Sequence, residues 1–293
     1  MTRRAPLLFA LALVGCAGPG SDEPPRAPGR RIVVMAPAAA EMLDALDALD
    51  LVVGVGDVVD SPPALAALPK VGAYDRPNVE RVLSLQADLL LTTSSREADP
   101  EHARLEQLGV EVVALATDTY AGVLASIGEV GRVVGREERA RSLAAGIRDE
   151  LDAIRSATQG LDRPRVLFVV GRDPIYVAGP GSHIDEMIAI AGGRNVAADA
   201  GSPYPRLSLE VILDRMPEVI LDTSDNSPGV PRGARAGTWG QWTFLPAVQT
   251  GRVYNVHPEK LVIPGIDLPE TTRRMARLIH PETFGAPRPA DFE

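Results

Sequence analysis

Short aliphatic runs alternate with amphipathic segments along most of this chain. RIVVM (31–35), LVVGV (51–55), DLLLT (88–92) and EVVAL (111–115) read as strands apolar on both faces. Helical spacing separates them over Glu41 to Leu49, after the YDRPNVE segment, and near 99–108, with a Pro-rich turn at Ser61-Pro62-Pro63. The plan then repeats. RVLFVVG (165–171) starts it, IYVAG (175–179) adds a hairpin strand, and Ser182 caps a helix over 183–191, with Asp185 completing a capping-box-like start. The helix in LSLEVIL, the strands EVILDT (218–223) and GRVYNV (251–256), and a closing helix over 269–279 follow. This alternation predicts an α/β chain of two Rossmann-like lobes with mostly parallel sheets covered on both faces.

The section between the halves has a different period. Apolar residues at Val123, Ile127, Val130 and Val134, then at Leu143, Ile147, Leu151 and Ile154, recur every three or four positions. That spacing means helix, with Gly135 separating a shorter piece from a longer one. About 25 residues from Arg136 would run roughly 38 Å, a stiff backbone helix joining the lobes and resisting wide hinge closure. The expected division is a leader over 1–15, a tether over 16–30, an N-terminal lobe over 31–118, linking helices over 119–160 and a C-terminal lobe over 161–293.

The two halves also share a local pattern. Tyr74-x-Arg76-x-Asn78-x-Glu80 reappears as Tyr204-x-Arg206-x-Ser208-x-Glu210, and EMLDAL (41–46) echoes EMIAIA (186–191). Asn78 and Ser208 are good N-caps, which leaves Glu80 and Glu210 in the first helical turn, where the helix dipole favours an acid. Ligands of open α/β sheets bind outside the carboxyl ends of the strands. Loop segments carrying Tyr74, Arg76, Tyr204 and Arg206 could therefore face a common cleft.

The ends and the charge narrow the class. A basic start at Arg3 and Arg4 precedes LLFALALVG (7–15), an apolar run of nine that suits a signal-peptide core and is too short to span a bilayer. Residues 13–16 (LVGC) resemble the lipobox of bacterial lipoproteins, and Cys16, the single cysteine of the chain, stands at its lipidation position. AGPGSDEPPRAPGR (17–30) has nothing to bury and reads as a flexible tether. Net charge is −9, and removal of the leader with its two arginines makes it more negative. An acidic surface argues against nucleic acid or anionic lipid as partner. The chain is expected to be exported, to meet the membrane only through a lipid anchor, and to be a monomer.

The order and spacing of RIVVMAPAAAEML, LVVGVGDVVDSPP, LPKVGAYDRPNVERVLSLQADLLL, YVAGPGSHIDEMIAIAGGRNVAADA, PYPRLSLEVIL and GRVYNV resemble class III periplasmic binding proteins, which serve ABC importers of vitamin B12, haem and ferric siderophores. The resemblance covers nearly the whole mature chain. It implies no catalysis, no cofactor beyond a metal-chelate ligand, and an ABC permease dimer with its ATPase as partner. Glu80 and Glu210 would be the docking acids that meet permease arginines. Tyr74 and Tyr204 would be cleft aromatics, with Arg76 and Arg206 as further ligand contacts. From their places in the sequence alone, His257, just after a strand, is a further ligand candidate, and Trp239, read mainly as packing for the second lobe, is a more distant one.

The chain departs from the cobalamin-binding pattern at Val58 and Thr93, where aromatics are expected, and at Ala38-Ala39-Ala40, which lack hydroxyls. It departs from the haem-binding pattern at Ala73, which follows Val71-Gly72 where a tyrosine is usual. A corrinoid is the first expectation, with a ferric siderophore or haem as alternatives.

Other classes fit less well. GVGDVV (54–59) has Val59 in place of the third glycine of a dinucleotide fingerprint. GPGSH (179–183) is not a hydrolase elbow, so Ser182 reads as a helix cap. His102, His183, His257 and His280 are scattered without ligand-like spacing, so a free-metal receptor has little support. A sensor or interaction lipoprotein of the same fold stays open.

Overall fold

The computed structural model describes residues 29–93, 100–224, 233–234, 237–257, 261 and 264–292. The expected leader and Cys16 lie outside them, as does most of the tether. The first lobe runs β1 (Ile32–Val34), α1 (Pro37–Ala45), β2 (Val52–Val55), β3 (Gly72–Ala73), β4 (Arg76–Pro77), α2 (Val79–Ser84), β5 (Leu89–Thr92), α3 (Pro100–Gln107) and β6 (Glu111–Ala114). Its four-stranded sheet has the order β2-β1-β5-β6, every pair parallel.

The second lobe contains β7 (Arg165–Arg172), β8 (Ile175–Val177), α6 (His183–Ile190), β9 (Arg194–Asn195), α7 (Leu209–Asp214), β10 (Val219–Asp222), β11 (Gly233–Ala234), α8 (Pro246–Gln249), β12 (Val253–Asn255), α9 (Leu268–Ile279) and α10 (Pro281–Phe284). Its sheet follows β11-β12-β10-β7-β8. The inner pairs are parallel, and β8 closes the predicted antiparallel hairpin with β7.

The apolar triplets are explained by what covers each face. Ile32, Val34, Leu89 and Leu91 join one buried cluster, while Val33 and Leu90, pointing the other way, join a second beneath α2 and α3. In the second lobe Val166, Phe168, Val219 and Leu221 enter the same first cluster, and Leu167, Val169 and Ile220 enter a third. Period-two alternation thus feeds two layers at once. The first cluster is common to both lobes, because the linking helices α4 (Tyr120–Val133) and α5 (Glu137–Thr158) contribute Val123, Ile127, Val130, Ile147, Leu151 and Ile154 to it.

Helix α5 has 22 residues and so spans about 33 Å. Gly135 (φ +68°) takes the left-handed position that ends α4, and Gly131 lets α4 and α5 approach so closely that a Cβ there would overlap Ala140. The long helix is fastened at both ends. Arg139 Nε donates to the Ala45 carbonyl at 2.7 Å and its guanidinium pairs with Asp47 at 2.7 Å. Thr158 Oγ1 donates to the Ile190 carbonyl at 3.0 Å, and Arg273 pairs with Glu150 at 3.0 Å.

Three local expectations change. Helix α1 begins at Pro37 rather than Glu41, since Pro favours the first helical position. The YDRPNVE loop contains a small ladder: Tyr74 and Asp75 form the turn between β3 and β4. Ser182 does cap α6, accepting from Asp185 N at 3.1 Å, but the Asp185 carboxylate does not complete the box. It accepts instead from Asn195 Nδ2 at 2.8 Å, tying α6 to β9.

Candidate functional site

A cleft of about 810 Å³ opens between the lobes, within the usual range of roughly 300–1,000 Å³ for small-molecule sites. The first lobe lines it from the carboxyl ends of its strands: Ala36 to Ala38 follow β1, Val58 follows β2, Thr93 follows β5, and Thr117 and Asp118 follow β6. Glu41 projects from the first turns of α1. The second lobe supplies His183, Tyr204, Pro264 and Asp267. This is the position that open α/β topology assigns to a ligand.

Tyr74 and Tyr204 both line the cleft, and each keeps 40% of its surface exposed. The Tyr74 hydroxyl shares a short hydrogen bond with Thr93 Oγ1, which fixes the ring on its turn. Burial, and then the Asp118 carboxylate, push the Tyr204 phenol above its ordinary range. Asp118 belongs to the first lobe and Tyr204 to the second, so that interaction crosses the cleft.

The lining is acidic. Glu41, Asp60, Asp118 and Asp267 contribute to it, and among the described residues no arginine or lysine does. Asp60 is partly offset from behind by Lys70, whose Nζ reaches Oδ1 at 2.8 Å. Tyr120, the first residue of the linking helix α4, ties that helix to the second lobe: its backbone N–H donates to Glu186 Oε2 at 2.7 Å, and its hydroxyl meets Thr272 Oγ1 at 2.6 Å. Among the described residues no group of three or more His, Cys, Asp or Glu could hold a metal ion. No described helix is long and apolar enough to cross a membrane.

Four residues expected at the ligand lie elsewhere. Arg76 sits in β4 and Arg206 in an isolated bridge opposite Tyr176; both are exposed and neither lines the cleft. Trp239 is 3% exposed in the core of the second lobe. Its Nε1–H donates to Asp222 Oδ2 at 2.7 Å, and the Arg172 guanidinium lies 5.8 Å from the ring centroid. His257 is half-buried beyond β12, and its backbone N–H bonds the Phe292 carbonyl at 2.8 Å; the cleft lining does not include it.

The caps fold as the sequence predicts. Asn78 Oδ1 accepts from Arg81 N at 3.0 Å, and Ser208 Oγ accepts from Val211 N at 3.3 Å. Glu80 and Glu210 then occupy the second position of α2 and α7, exposed and without an ion pair among the described residues. The acidic lining is what sequence reasoning missed. A faint signal existed, since Asp60 and Asp118 each follow a strand by a few residues.

Comparison with known proteins agrees with this geometry. The family model for periplasmic binding proteins matches residues 32–260. The vitamin B12-binding protein of Vibrio parahaemolyticus is 27% identical over 233 residues, covering 79% of this chain and 82% of that one. The cobalamin-binding protein of Halobacterium salinarum is 31% identical over 269 residues, covering 87% and 70%. Among solved structures, the periplasmic vitamin B12 binding protein of Vibrio cholerae superposes with a TM-score of 0.71 at 25% identity, covering 86% of this chain and 97% of that one. The periplasmic heme binding protein of Vibrio cholerae does so with 0.75 at 25% identity, covering 86% and 99%. Fold, cleft and relatives together place the chain in the periplasmic binding protein family, in its class III group of ABC importers.

Proposed function

We propose that this protein captures a corrinoid in the inter-lobe cleft and hands it to the permease of an ABC importer. The observation that carries this reading is the acidic lining with a tyrosine from each lobe. A corrinoid presents carboxamide side chains around a cationic metal centre. Amide N–H groups donate to carboxylates, and hydrogen bonds to charged groups contribute about 1.5–3 kcal/mol each. The two phenol faces suit the broad surface of the macrocycle. Named relatives that bind vitamin B12 or cobalamin support the same ligand.

Haem is the second reading, favoured by the haem-binding structural neighbour and by phenol oxygens in the cleft that could meet iron. Its propionates count against it. Two like charges about 6 Å apart repel by roughly 0.7–2.8 kcal/mol between the dielectric of water and an effective value near 20. The same repulsion acts on anionic ferric siderophores. The protein itself would carry no cofactor and perform no catalysis.

Partner and anchor belong to the same proposal. Glu80 and Glu210 would meet basic residues on the two halves of a permease dimer, acting on orientation and on-rate more than on affinity. Cys16 would carry the lipid that holds the protein at the cell envelope. The test is uptake of radiolabelled cyanocobalamin by the producing cells with the gene deleted and restored. Loss on deletion and recovery on restoration are expected; unchanged uptake would favour a sensor role instead.

A further inference from the structure

The two exposed arginines of the repeated segment have no place in the cleft, and their surroundings suggest another. Each is held by an antiparallel backbone pairing. Arg76 lies in a two-residue ladder, its backbone paired with Ala73, and Arg206 lies in a bridge paired with Tyr176. Each precedes the N-cap of a short helix by two residues and the exposed glutamate of that helix by four. Most arginines here are engaged: Arg139, Arg165, Arg215, Arg273 and Arg277 all hold carboxylates. Among the described residues the side chains of Arg76 and Arg206 make neither a hydrogen bond nor an ion pair, and neither do those of Glu80 and Glu210.

Each lobe therefore presents an uncommitted cation four residues ahead of an uncommitted anion, in the same order beside the same kind of short helix. We infer that Arg76 and Arg206 are docking residues: with Glu80 and Glu210 they form a repeated plus–minus pattern read by a twofold-symmetric membrane partner. That partner would offer an acid to each arginine and a base to each glutamate. Glutamates alone attract any basic surface. An adjacent charge of opposite sign penalises a partner that is shifted or rotated, so the mixed pattern fixes register. The inference rests on the importer reading, with the permease dimer as the partner.

A photo-crosslinking residue placed singly at 76, 206, 80, 210 and 194 in the full-length protein, in its producing cells, tests this. Arg194 is the control, because it pairs with the first residue of β7, at the sheet end opposite the cleft. Adducts with one permease subunit type are expected from 76, 206, 80 and 210, and none from 194. Adducts from 80 and 210 without any from 76 and 206 overturn the inference and leave the importer reading standing. No permease adduct from any position overturns both.

The double variant Arg76→Glu, Arg206→Glu gives a second readout. Uptake of cyanocobalamin should fall at least tenfold while the Kd for soluble cyanocobalamin stays within twofold. A tenfold rise in Kd with crosslinking unchanged returns the arginines to the ligand and overturns the inference.

Discussion

Truncating the cleft tyrosines tests the ligand side of this account. Tyr74 and Tyr204 are each 40% exposed in the empty cleft. A fully buried aromatic side chain hides about 150–250 Å², so roughly 60–100 Å² of each ring is left for a ligand to cover. At about 25 cal/mol per Å² that is worth about 1.5–2.5 kcal/mol, which corresponds to a 10- to 70-fold weaker Kd for either alanine variant. The Tyr204→Phe change keeps the face and should shift Kd by less than about threefold. Tyr74→Phe also loses the hydrogen bond to Thr93, so a further cost of about 1 kcal/mol is expected. Calorimetric titration with cyanocobalamin measures all four variants, and thermal melts check that folding is intact. Alanine variants within twofold of wild type would refute the reasoning, as would phenylalanine variants as weak as the alanine ones.

Reversing both proposed docking acids, Glu80→Arg with Glu210→Arg, should abolish uptake in cells while leaving the Kd for cyanocobalamin within twofold; transport at the wild-type rate would remove the docking assignment. Gly131→Val should force α4 away from Ala140, an overpacking of about 1–3 kcal/mol, lowering Tm by about 2–4 °C per kcal/mol in a calorimetric scan. Burial, foremost, raises the Tyr120 phenol above its ordinary value, and burial likewise raises Tyr204 and Tyr254. The folded state thus holds these protons more tightly than the unfolded chain. Their stability is fully present below about pH 10, the ordinary phenol value, and is lost as pH rises beyond it. Melts across the alkaline range should show a shallower decline for Tyr120→Phe than for wild type.

The fold was legible because its signals are local or strictly periodic. Leu89-Leu90-Leu91 leaves no polar face, which forces a strand covered on both sides, and the structure supplies those two layers. The caps Asn78, Ser208 and Ser182 are read from one residue and its third neighbour. The site was legible only where one residue carries the signal, as with Tyr74 and Tyr204. Placing each tyrosine and the arginine two places on at one cleft requires the loop to turn both side chains the same way. A turn at Tyr74-Asp75 and a bend at Tyr204 redirect the chain between the two residues, so the arginines part from the cleft. Trp239 packs in the second lobe, as its sequence context suggested; its candidacy for the cleft fails because its Nε1–H is held by Asp222 from a different element. Glu41, Asp60, Asp118 and Asp267 are scattered along the chain, and only the convergence of strand ends gathers them into one lining.

Side-by-side calorimetric titration of the purified protein with cyanocobalamin and haemin puts the cleft's charge and shape to a single test. The account predicts cyanocobalamin binding with Kd below roughly 10 μM, about −7 kcal/mol, and haemin at least tenfold weaker. Haemin binding tighter than cyanocobalamin, or no cyanocobalamin binding in that range, would contradict it.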